Sequence, residues 1–365
     1  MNGPDLLLPA PVQAAALPEV RNHTPYPSQY FQMMDVGDEV FHVIVSRITY
    51  DLTRLDEQGA PPLAQVQAPL VEADEFYGDP TSSSCIQESD FAPYKPKCDI
   101  ILAHAVAYAP EGKPHQRWPV GIRIGDWQKM LAVTGARYID RGLLGWKVTE
   151  PEKATAVPLR WEHAYGGTCQ WPRQVKEGEE PDLWSPYEAN PIGSGWVDKP
   201  WLKKAQVADV DAPRIEVFEQ PFGTEDANAM RYEPVGVGPV GKWWTPRRHK
   251  AGTYDQAWKE SRWPRLPLDF DFGYWNAAPE DQQIEYPQGG EELVLAGLTP
   301  GQQVWRCKLP RLRPFVRVRL HAGPILPRAM NLDTLVIDFK AGTLSCVWRM
   351  TLAARAEVRV LEVCL

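Results

Sequence analysis

With 365 residues, of which 44% are hydrophobic and 24% charged, the chain has the composition of a globular protein that buries a sizeable core. Its 36 proline and 27 glycine residues exclude an all-helical fold, because both residue types break helices. The net charge of -8 argues against a general nucleic-acid-binding face, and no apolar run approaches the roughly 18 residues of a membrane span.

The beginning of the chain is apolar but lacks the features of an export signal. Residues 6–17 are rich in leucine, alanine and proline, and the first basic residue, Arg21, comes only after them. A signal peptide needs a positively charged region before its apolar core. We therefore expect residues 1–21 to be a flexible extension and the chain to be cytoplasmic.

The six cysteines contain no C-x-x-C pair, which agrees with free thiols in a reducing compartment and predicts no zinc site.

The two ends of the chain carry the patterns of β-strands. β-Branched and aromatic residues predict a strand over 40–50, and an apolar run predicts a second strand within 100–108. Gly125 and Asp126 form a hairpin-type turn between two further apolar segments. In chain order the remaining predicted strands are 119–124, 129–134, 315–320, 335–339, 344–349 and 356–363.

Between these ends, residues 151–303 are crowded with tryptophan, tyrosine, proline and glycine. Disordered segments are poor in tryptophan, so this composition predicts long ordered loops that are packed by their own aromatic side chains. Only 254–260 and 279–283 have the pattern of short helices.

The predicted fold class is mainly β: antiparallel sheets of a sandwich-like or barrel-like kind, with long aromatic loops rich in proline and glycine and few short helices. We expect one domain over residues 22–355. Its strand-rich halves are about 22–150 and 304–363, and the loop-rich middle 151–303 lies between them. Residues 356–365 form a C-terminal strand or tail. Whether the two halves share one sheet system or form two domains stays open at this point.

A glycine-rich segment matches the dinucleotide-binding fingerprint but lacks its context. Gly236–Gly241 has the spacing G-x-G-x-x-G. That fingerprint must open a helix whose N–H groups hold a pyrophosphate. Pro239 removes one of these donors, and the Trp243–Pro246 segment that follows has no helical pattern. We therefore predict a glycine-rich loop and no cofactor.

No other motif forms a catalytic constellation. Asp269 and Asp271 would lie on one face of a strand, where they could bind a cation or act as an acid–base pair. Turn capping and pairing with Arg262 and Arg265 is the simpler interpretation. The seven histidines are scattered singly and no G-x-S-x-G motif occurs. The sequence therefore predicts a protein that is not an enzyme and holds no metal.

The densest group of aromatic and cationic residues is Lys242–Lys250, followed by Tyr254, Trp258 and Trp263. Interleaved tryptophan, tyrosine and arginine are typical of protein-binding hot spots, and they also suit single-stranded nucleic acid. A third interpretation is that several of these rings fill the core. The negative net charge disfavours nucleic acid. The predicted protein-binding residues are Trp243, Trp244, Arg247, Arg248, Tyr254 and Trp258.

A series of short motifs, in order along the chain, resembles a known bacterial family. The motifs are Asn22–Tyr26, Ser89–Asp99, Ala164–Gly167, Asn190–Trp196, Ala251–Asp255, Pro264–Asp271, Trp275–Pro279 and Gly289–Glu292. They resemble a domain of unknown function found beside type VI secretion genes, whose members act as effector adaptors or chaperones. One departure is Ala212–Glu216, where the family tends to have Leu-Pro-Asn before an aliphatic residue and glutamate. If that loop touches a partner, the departure alters which partner is bound.

The resemblance implies a non-catalytic cytoplasmic adaptor that binds a toxin effector and helps to load it onto the secretion spike. The implied partners are the effector, in some cases one with a proline-alanine-alanine-arginine-repeat (PAAR) region, and the spike protein (VgrG). No cofactor, nucleic acid or membrane is expected. Extended effector segments would add to an exposed sheet edge or dock apolar side chains in an aromatic groove. The alternatives are a secreted hydrolase effector, which needs a converging acid, base or nucleophile, and an immunity protein that blocks a toxin.

Overall fold

The structure is a computed structural model that describes residues 17–142, 145–172, 182–198, 210–354 and 358–365. Most of the predicted N-terminal extension, residues 1–16, lies outside this part of the chain. The end of that predicted extension is a strand, Glu19–Asn22, which pairs in parallel with the C-terminal strand Val358–Cys364. The chain therefore becomes regular before residue 22.

Strands account for most of the regular structure. In chain order they are β1 (Glu19–Asn22), β2 (Ser28–Met34), β3 (Val40–Asp51), β4 (Glu75–Phe76), β5 (Cys85–Gln87), β6 (Cys98–Ala103), β7 (Val106–Tyr108), β8 (Arg117–Ile124), β9 (Trp127–Thr134), β10 (Tyr138–Gly142), β11 (Gly145–Val148), β12 (Ala156–Pro158), β13 (Tyr165–Gly166), β14 (Thr168–Pro172), β15 (Asp182–Pro186), β16 (Ser194–Gly195), β17 (Val210–Asp211), β18 (Ile215–Val217), β19 (Gln283–Ile284), β20 (Glu292–Thr299), β21 (Gln302–Lys308), β22 (Phe315–Leu320), β23 (Ile325–Ala329), β24 (Asn331–Asp338), β25 (Thr343–Ala353) and β26 (Val358–Cys364). The α-helices of the described residues are α1 (Thr224–Ala229), α2 (Thr245–Arg248) and α3 (Gln256–Ser261). Short 3₁₀ turns are Pro110–Gly112, Trp161–His163, His249–Ala251, Phe272–Trp275 and Glu280–Gln282. The prediction of a mainly β fold with few short helices is confirmed.

The predicted hairpin at Gly125 and Asp126 shows how local sequence sets the strand register. β8 and β9 pair from Arg117 with Thr134 up to Ile124 with Trp127, so the two turn residues are left between them. Gly125 has a φ of +56°, which a residue with a side chain rarely adopts. The glycine therefore fixes both the turn and the register of the hairpin.

Strands from the two ends of the chain lie together in one six-stranded sheet, in the order β19-β6-β24-β25-β3-β2. β3 from the N-terminal half pairs antiparallel with β25 from the C-terminal half, from Asp51 opposite Thr343 to Phe41 opposite Ala353. β6 and β24 pair in parallel, so the sheet is not purely antiparallel. The two strand-rich halves thus form one sheet system.

Two further sheets complete the main core. Their strand orders are β18-β9-β8-β20-β21 and β1-β26-β22-β23. Side chains of all three sheets meet in one hydrophobic cluster, which includes the fully buried Ile48, Leu293 and Val316. Because side chains alternate along a strand, the residues next to these in sequence point to the opposite faces of the sheets.

The outer face of the four-stranded sheet carries a carboxylate among cations. Glu362 of β26 accepts a hydrogen bond from Arg319 Nε at 2.9 Å, and Arg317, Arg21 and His23 lie within 3.8 Å of its oxygens. The Arg319 hydrogen bond and the surrounding positive charges lower the pKa of Glu362 below its ordinary value. These charges join β1, β22 and β26.

The second face of the six-stranded sheet is covered by a loop that a buried carboxylate holds in place. Ala277 packs against Ile101 of β6. Asp99 has no solvent exposure and accepts hydrogen bonds from the Ala277 N–H at 2.9 Å and from Asn276 Nδ2 at 3.0 Å. Lys95 Nζ donates to the same carboxylate at 2.8 Å. Asp99 therefore joins β6 to the loop just before it and to a second loop that is distant in sequence.

The middle of the chain forms an aromatic cluster of its own. Tyr165, Phe222 and Tyr232 are buried, with ring centroids 5.3 to 5.8 Å apart. Tyr187 packs edge-on against Tyr165 at 5.2 Å. Such tilted and edge-to-face contacts are the favoured geometry of aromatic pairs. The predicted loops packed by their own aromatic side chains are thus present in this region.

Candidate functional site

The two adjacent tryptophans of the aromatic–cationic segment differ sharply in exposure. Trp244 is 4% exposed and packs edge-on against Trp161, with ring centroids 5.4 Å apart. Trp243 is 49% exposed. The backbone at Trp244 is extended, which turns consecutive side chains to opposite sides just before α2 begins. Trp244 is therefore a core residue, and the prediction that it contacts a partner is corrected.

Arg247 is also an interior residue. Its side chain is buried, and its guanidinium pairs with the carboxylate of Glu88. It also donates to the carbonyl oxygens of Val240 and Tyr274, both at 2.7 Å. A guanidinium that is bonded in this way and closed to solvent joins α2 to two neighbouring loops. The predicted contact role of Arg247 is corrected for this reason.

The other predicted contact residues keep part of their surface in solvent. Arg248 is half exposed and donates to Glu188 Oε2 at 2.8 Å. Tyr254 is 53% exposed and packs edge-on against the half-buried Trp258, with centroids 4.7 Å apart. These three residues and Trp243 remain available for contact with another molecule.

Helix α3 and the chain that follows it fold into a compact unit, residues 253–269, which we call the aromatic lobe. Its two ends are tied together because the Thr253 N–H and Oγ1 donate to the Asp269 carboxylate at 3.0 and 2.7 Å. Within the lobe, Trp258 Nε1 donates to the Arg265 carbonyl oxygen at 2.9 Å. The lobe is thus held by its own hydrogen bonds.

The aromatic lobe is anchored to the turn between β2 and β3. Arg262 Nη2 and Arg265 Nη1 each lie 3.0 Å from a carboxylate oxygen of Asp38. Arg262 also donates to the Val36 carbonyl oxygen at 3.1 Å. These bonds place the lobe at one end of β2, the edge strand of the six-stranded sheet.

Three large side chains of the aromatic lobe face solvent. Tyr254, Trp263 and Leu268 are 53%, 68% and 70% exposed. Exposed apolar residues concentrated on one short segment are typical of an interaction surface. The sequence analysis noted Trp263 without selecting it and missed Leu268. Pro264 and Pro267 could have indicated that Trp263 and Leu268 are exposed, because prolines beside large apolar residues disfavour a buried strand.

A cavity of about 250 Å³ opens beside Trp243. Phe76 and Ile192 contribute apolar walls, and Lys242 lines it as well. Lys242 Nζ pairs with Asp74 Oδ2 at 2.5 Å. The cavity therefore combines apolar walls with an ion pair, a composition that suits one apolar side chain of a partner.

The glycine-rich segment Gly236–Gly241 packs against tryptophans. A Cβ on Gly236 would lie 2.9 Å from the Trp161 ring, and one on Gly241 would lie 2.5 Å from Trp244 Nε1. The glycines are required because the backbone approaches these rings closely. This agrees with the prediction that the segment is a loop.

The two aspartates of Leu268–Phe272 cap turns and do not share a strand. Asp269 binds Thr253, and Asp271 Oδ1 accepts from the Gly273 N–H at 2.8 Å. The expected strand does not form because Pro267 precedes the pair and the chain turns there. The capping interpretation is confirmed, whereas the expected pairing with Arg262 and Arg265 is wrong, since both arginines bind Asp38.

The cysteines and His42, which are side chains of the kinds used in catalysis or metal binding, are engaged in packing. All six cysteines are buried free thiols, and within the described ranges no three histidine, cysteine, aspartate or glutamate side chains gather as metal ligands. Burial raises the pKa of the Cys85 thiol well above its ordinary value and so suppresses the reactive thiolate. His42 lies on β3 with Nδ1 2.9 Å from the Tyr30 hydroxyl, and burial lowers its pKa.

Residues 37–349 match the family described as "Uncharacterized protein conserved in bacteria (DUF2169)". The chain belongs to this family. No curated protein and no solved structure matches the chain. The description of the family assigns no activity, so its members give no residue roles that could be carried over.

The described α-helices have at most six residues, and none is long and apolar enough to cross a membrane.

Several motifs that carry the resemblance meet in space as parts of the framework. Tyr165 and Gly166 of β13 pair in parallel with Ser194 and Gly195 of β16. Asn190 Nδ2 bonds the Tyr165 carbonyl oxygen at 3.0 Å from a fully buried position. The Asp99 network joins two further motifs in the same manner. These motifs therefore help to maintain the fold.

The departure from the family pattern at Ala212–Glu216 is largely interior. Ala212, Ile215 and Glu216 are buried, and Glu216 binds Arg137 Nη2 at 2.5 Å and Arg117 Nε at 2.9 Å. Burial removes most of this loop from contact with any partner. The residues that differ from the pattern are Ala212, which is buried, and Arg214, which is half-buried and donates from Nε to the Thr134 carbonyl oxygen at 3.4 Å.

Proposed function

We propose that this family member is a non-catalytic adaptor that binds a toxin effector of a type VI secretion system in the cytoplasm and helps to load it onto the spike. The aromatic lobe carries the proposal, because Tyr254, Trp263 and Leu268 keep large apolar surfaces in water. Burying apolar surface yields about 25 cal/mol per Å². A partner that covers the lobe gains this free energy, and the lobe is held in place before the partner arrives.

The edge strand β2 extends the proposed contact surface. The Arg47 N–H bonds the Pro27 carbonyl oxygen, so in this antiparallel ladder the N–H and C=O groups of Ser28, Tyr30 and Gln32 point away from β3. An extended effector segment that pairs with this edge would end beside the lobe, because Asp38 holds the lobe at that end of β2. Backbone pairing would supply affinity, and the exposed rings would supply selectivity.

The acidic side chains that a hydrolase would need are engaged locally, which favours a binding role. Asp269 and Asp271 cap turns, and Glu291 Oε1 accepts from the Gln288 N–H at 2.7 Å. The resemblance to secretion-associated motifs favours an adaptor over a general binding protein. An immunity protein could use the same surface, but it would also inhibit the toxin that it binds.

The proposal is tested by affinity purification of the tagged full chain from cells that assemble the secretion machine, followed by mass spectrometry. We expect one toxin effector to be recovered, with or without spike protein. Trp263→Ser should reduce that recovery, since loss of an interface hot spot weakens binding by about thirtyfold or more. Trp184→Ser is the matched control, because Trp184 is 64% exposed on β15, outside the lobe.

The outcomes distinguish a failure of the adaptor function from a wrong assignment of the contact surface. If the wild-type chain recovers no effector although the effector is expressed, the adaptor function is refuted. If the wild type recovers an effector and Trp263→Ser recovers it equally well, the lobe is not the contact surface. Inhibition of the isolated toxin by the wild-type chain would instead support an immunity protein.

A further inference from the structure

A small cavity with several charged residues in its lining lies where β23 ends and β24 begins, beside the loop that contains Lys95. Its volume is about 150 Å³, which is the volume that about five water molecules occupy in the liquid. Lys95, Arg328 and Arg349 line it, together with Asp333. None of the lobe residues and none of the residues around the Trp243 cavity belongs to this lining.

The buried charges next to this cavity form a neutral network of three cations and three carboxylates. Every member is at most 6% exposed. The pairs are Arg349 with Asp333 at 2.5 Å, Lys95 with Asp99 at 2.8 Å, and Arg47 with Asp90 at 3.0 Å. The network therefore needs no further ion for its own balance.

Two guanidinium groups that line the cavity have donors for which the described residues supply no acceptor. Arg349 uses Nε to bind Asp333 and Nη1 to bind the Asp90 carbonyl oxygen, whereas its buried Nη2 has no partner within the described part of the chain. Arg328 lines the cavity from the exposed side, and no ion pair of the described residues engages it. A buried N–H group without an acceptor costs free energy, so the site favours a ligand that supplies a hydrogen-bond acceptor.

We propose that this cavity binds a single carboxylate group, with Arg349 Nη2 and Arg328 as its donors. One carboxylate brings one negative charge, which balances the charge of Arg328. Its two oxygens match the two guanidinium donors, one from each arginine. Phosphate groups bring more negative charge at neutral pH than Arg328 balances. The carboxylate belongs either to a small free acid or to the C-terminus of a bound peptide, and its chemistry in the cavity is the same. This site does not depend on the adaptor function.

The test measures dissociation constants for the full chain by titration calorimetry at matched ionic strength. The probes are sodium acetate, a short alanine peptide with a free C-terminus, the same peptide with an amidated C-terminus, and inorganic phosphate. We expect acetate or the free peptide to bind saturably and the amidated peptide not to bind. Arg328→Gln should weaken the binding about tenfold, because it removes one charged donor. Arg54→Gln is the control, since Arg54 is an exposed arginine that follows the far end of β3.

Each result decides the matter. Equal affinities for acetate and the free peptide identify a site for small acids, whereas affinity at least tenfold higher for the peptide identifies a C-terminus. The proposal is overturned if phosphate binds as tightly as acetate, or if the amidated peptide binds like the free one. It is also overturned if Arg328→Gln binds like the wild type, or if neither carboxylate binds and the cavity holds water alone.

Discussion

Replacing each of the adjacent tryptophans singly by alanine should give opposite results. Trp244 is 4% exposed, with its ring against Trp161, and replacing a buried tryptophan by alanine costs about 3–5 kcal/mol. For 365 residues the entropy of unfolding is about 0.8 kcal/mol/K, so Trp244→Ala should lower Tm by about 4–6 °C. Trp243 is 49% exposed, and Trp243→Ala should shift Tm by no more than about 1 °C while weakening effector recovery.

Thermal unfolding followed by near-ultraviolet circular dichroism measures both variants under one set of conditions. Trp244→Phe serves as a control because it keeps an aromatic ring against Trp161, and we expect it to lose less than half as much as Trp244→Ala. The reasoning is refuted if Trp244→Ala keeps the wild-type Tm within 1 °C, or if Trp243→Ala destabilises the protein as strongly. A double variant would mix the two effects and could not distinguish lost contact from lost packing.

Three further substitutions test the framework. Asp99→Asn should cost about 3–5 kcal/mol in urea unfolding at neutral pH, because it leaves a buried lysine without its carboxylate; a loss under about 1 kcal/mol would contradict this. Gly236→Ala should destabilise by about 1–3 kcal/mol, since its Cβ would meet Trp161, whereas Gly238→Ala, with 3.5 Å to its nearest neighbour, should be tolerated; equal effects would refute the packing argument. The lowered pKa of Glu362 means that its ionised form contributes stability above the unfolded-state pKa and that this contribution is lost as pH falls through the folded-state value. Glu362→Gln should therefore be less stable at neutral pH and lose less stability than the wild type between about pH 5 and pH 3, and parallel pH profiles would contradict this.

Local sequence determined much of the secondary structure. The strand predicted over 40–50 lies within β3, and the glycine turn at Gly125 gives the β8–β9 hairpin. The pattern over 315–320 coincides with β22. These predictions succeed because strand periodicity and turn geometry depend on residues that are neighbours in the chain.

The candidate site could be predicted only in part. The sequence drew attention to the segment that contains Trp243, Tyr254 and Trp258, and it selected Trp244 and Arg247 for the same reasons. Residue type cannot separate these positions, because an aromatic or arginine side chain serves a core and a surface equally well. Their burial is decided by what packs on them, and Trp161 and Glu88 lie far away in the chain.

By itself, the sequence determined that this protein is mainly β, that the described part of its middle contains loops packed by aromatic side chains, and that its cysteines form no close-spaced ligand pairs. The tertiary structure decided that both ends of the chain share one sheet, and it brought Asp99 to Asn276, 177 positions away. It also placed Arg328 beside Arg349 at one cavity. The physical reason is that hydrogen-bonded turns and strand periodicity are local, whereas sheet order, burial and charge balance depend on contacts between distant segments.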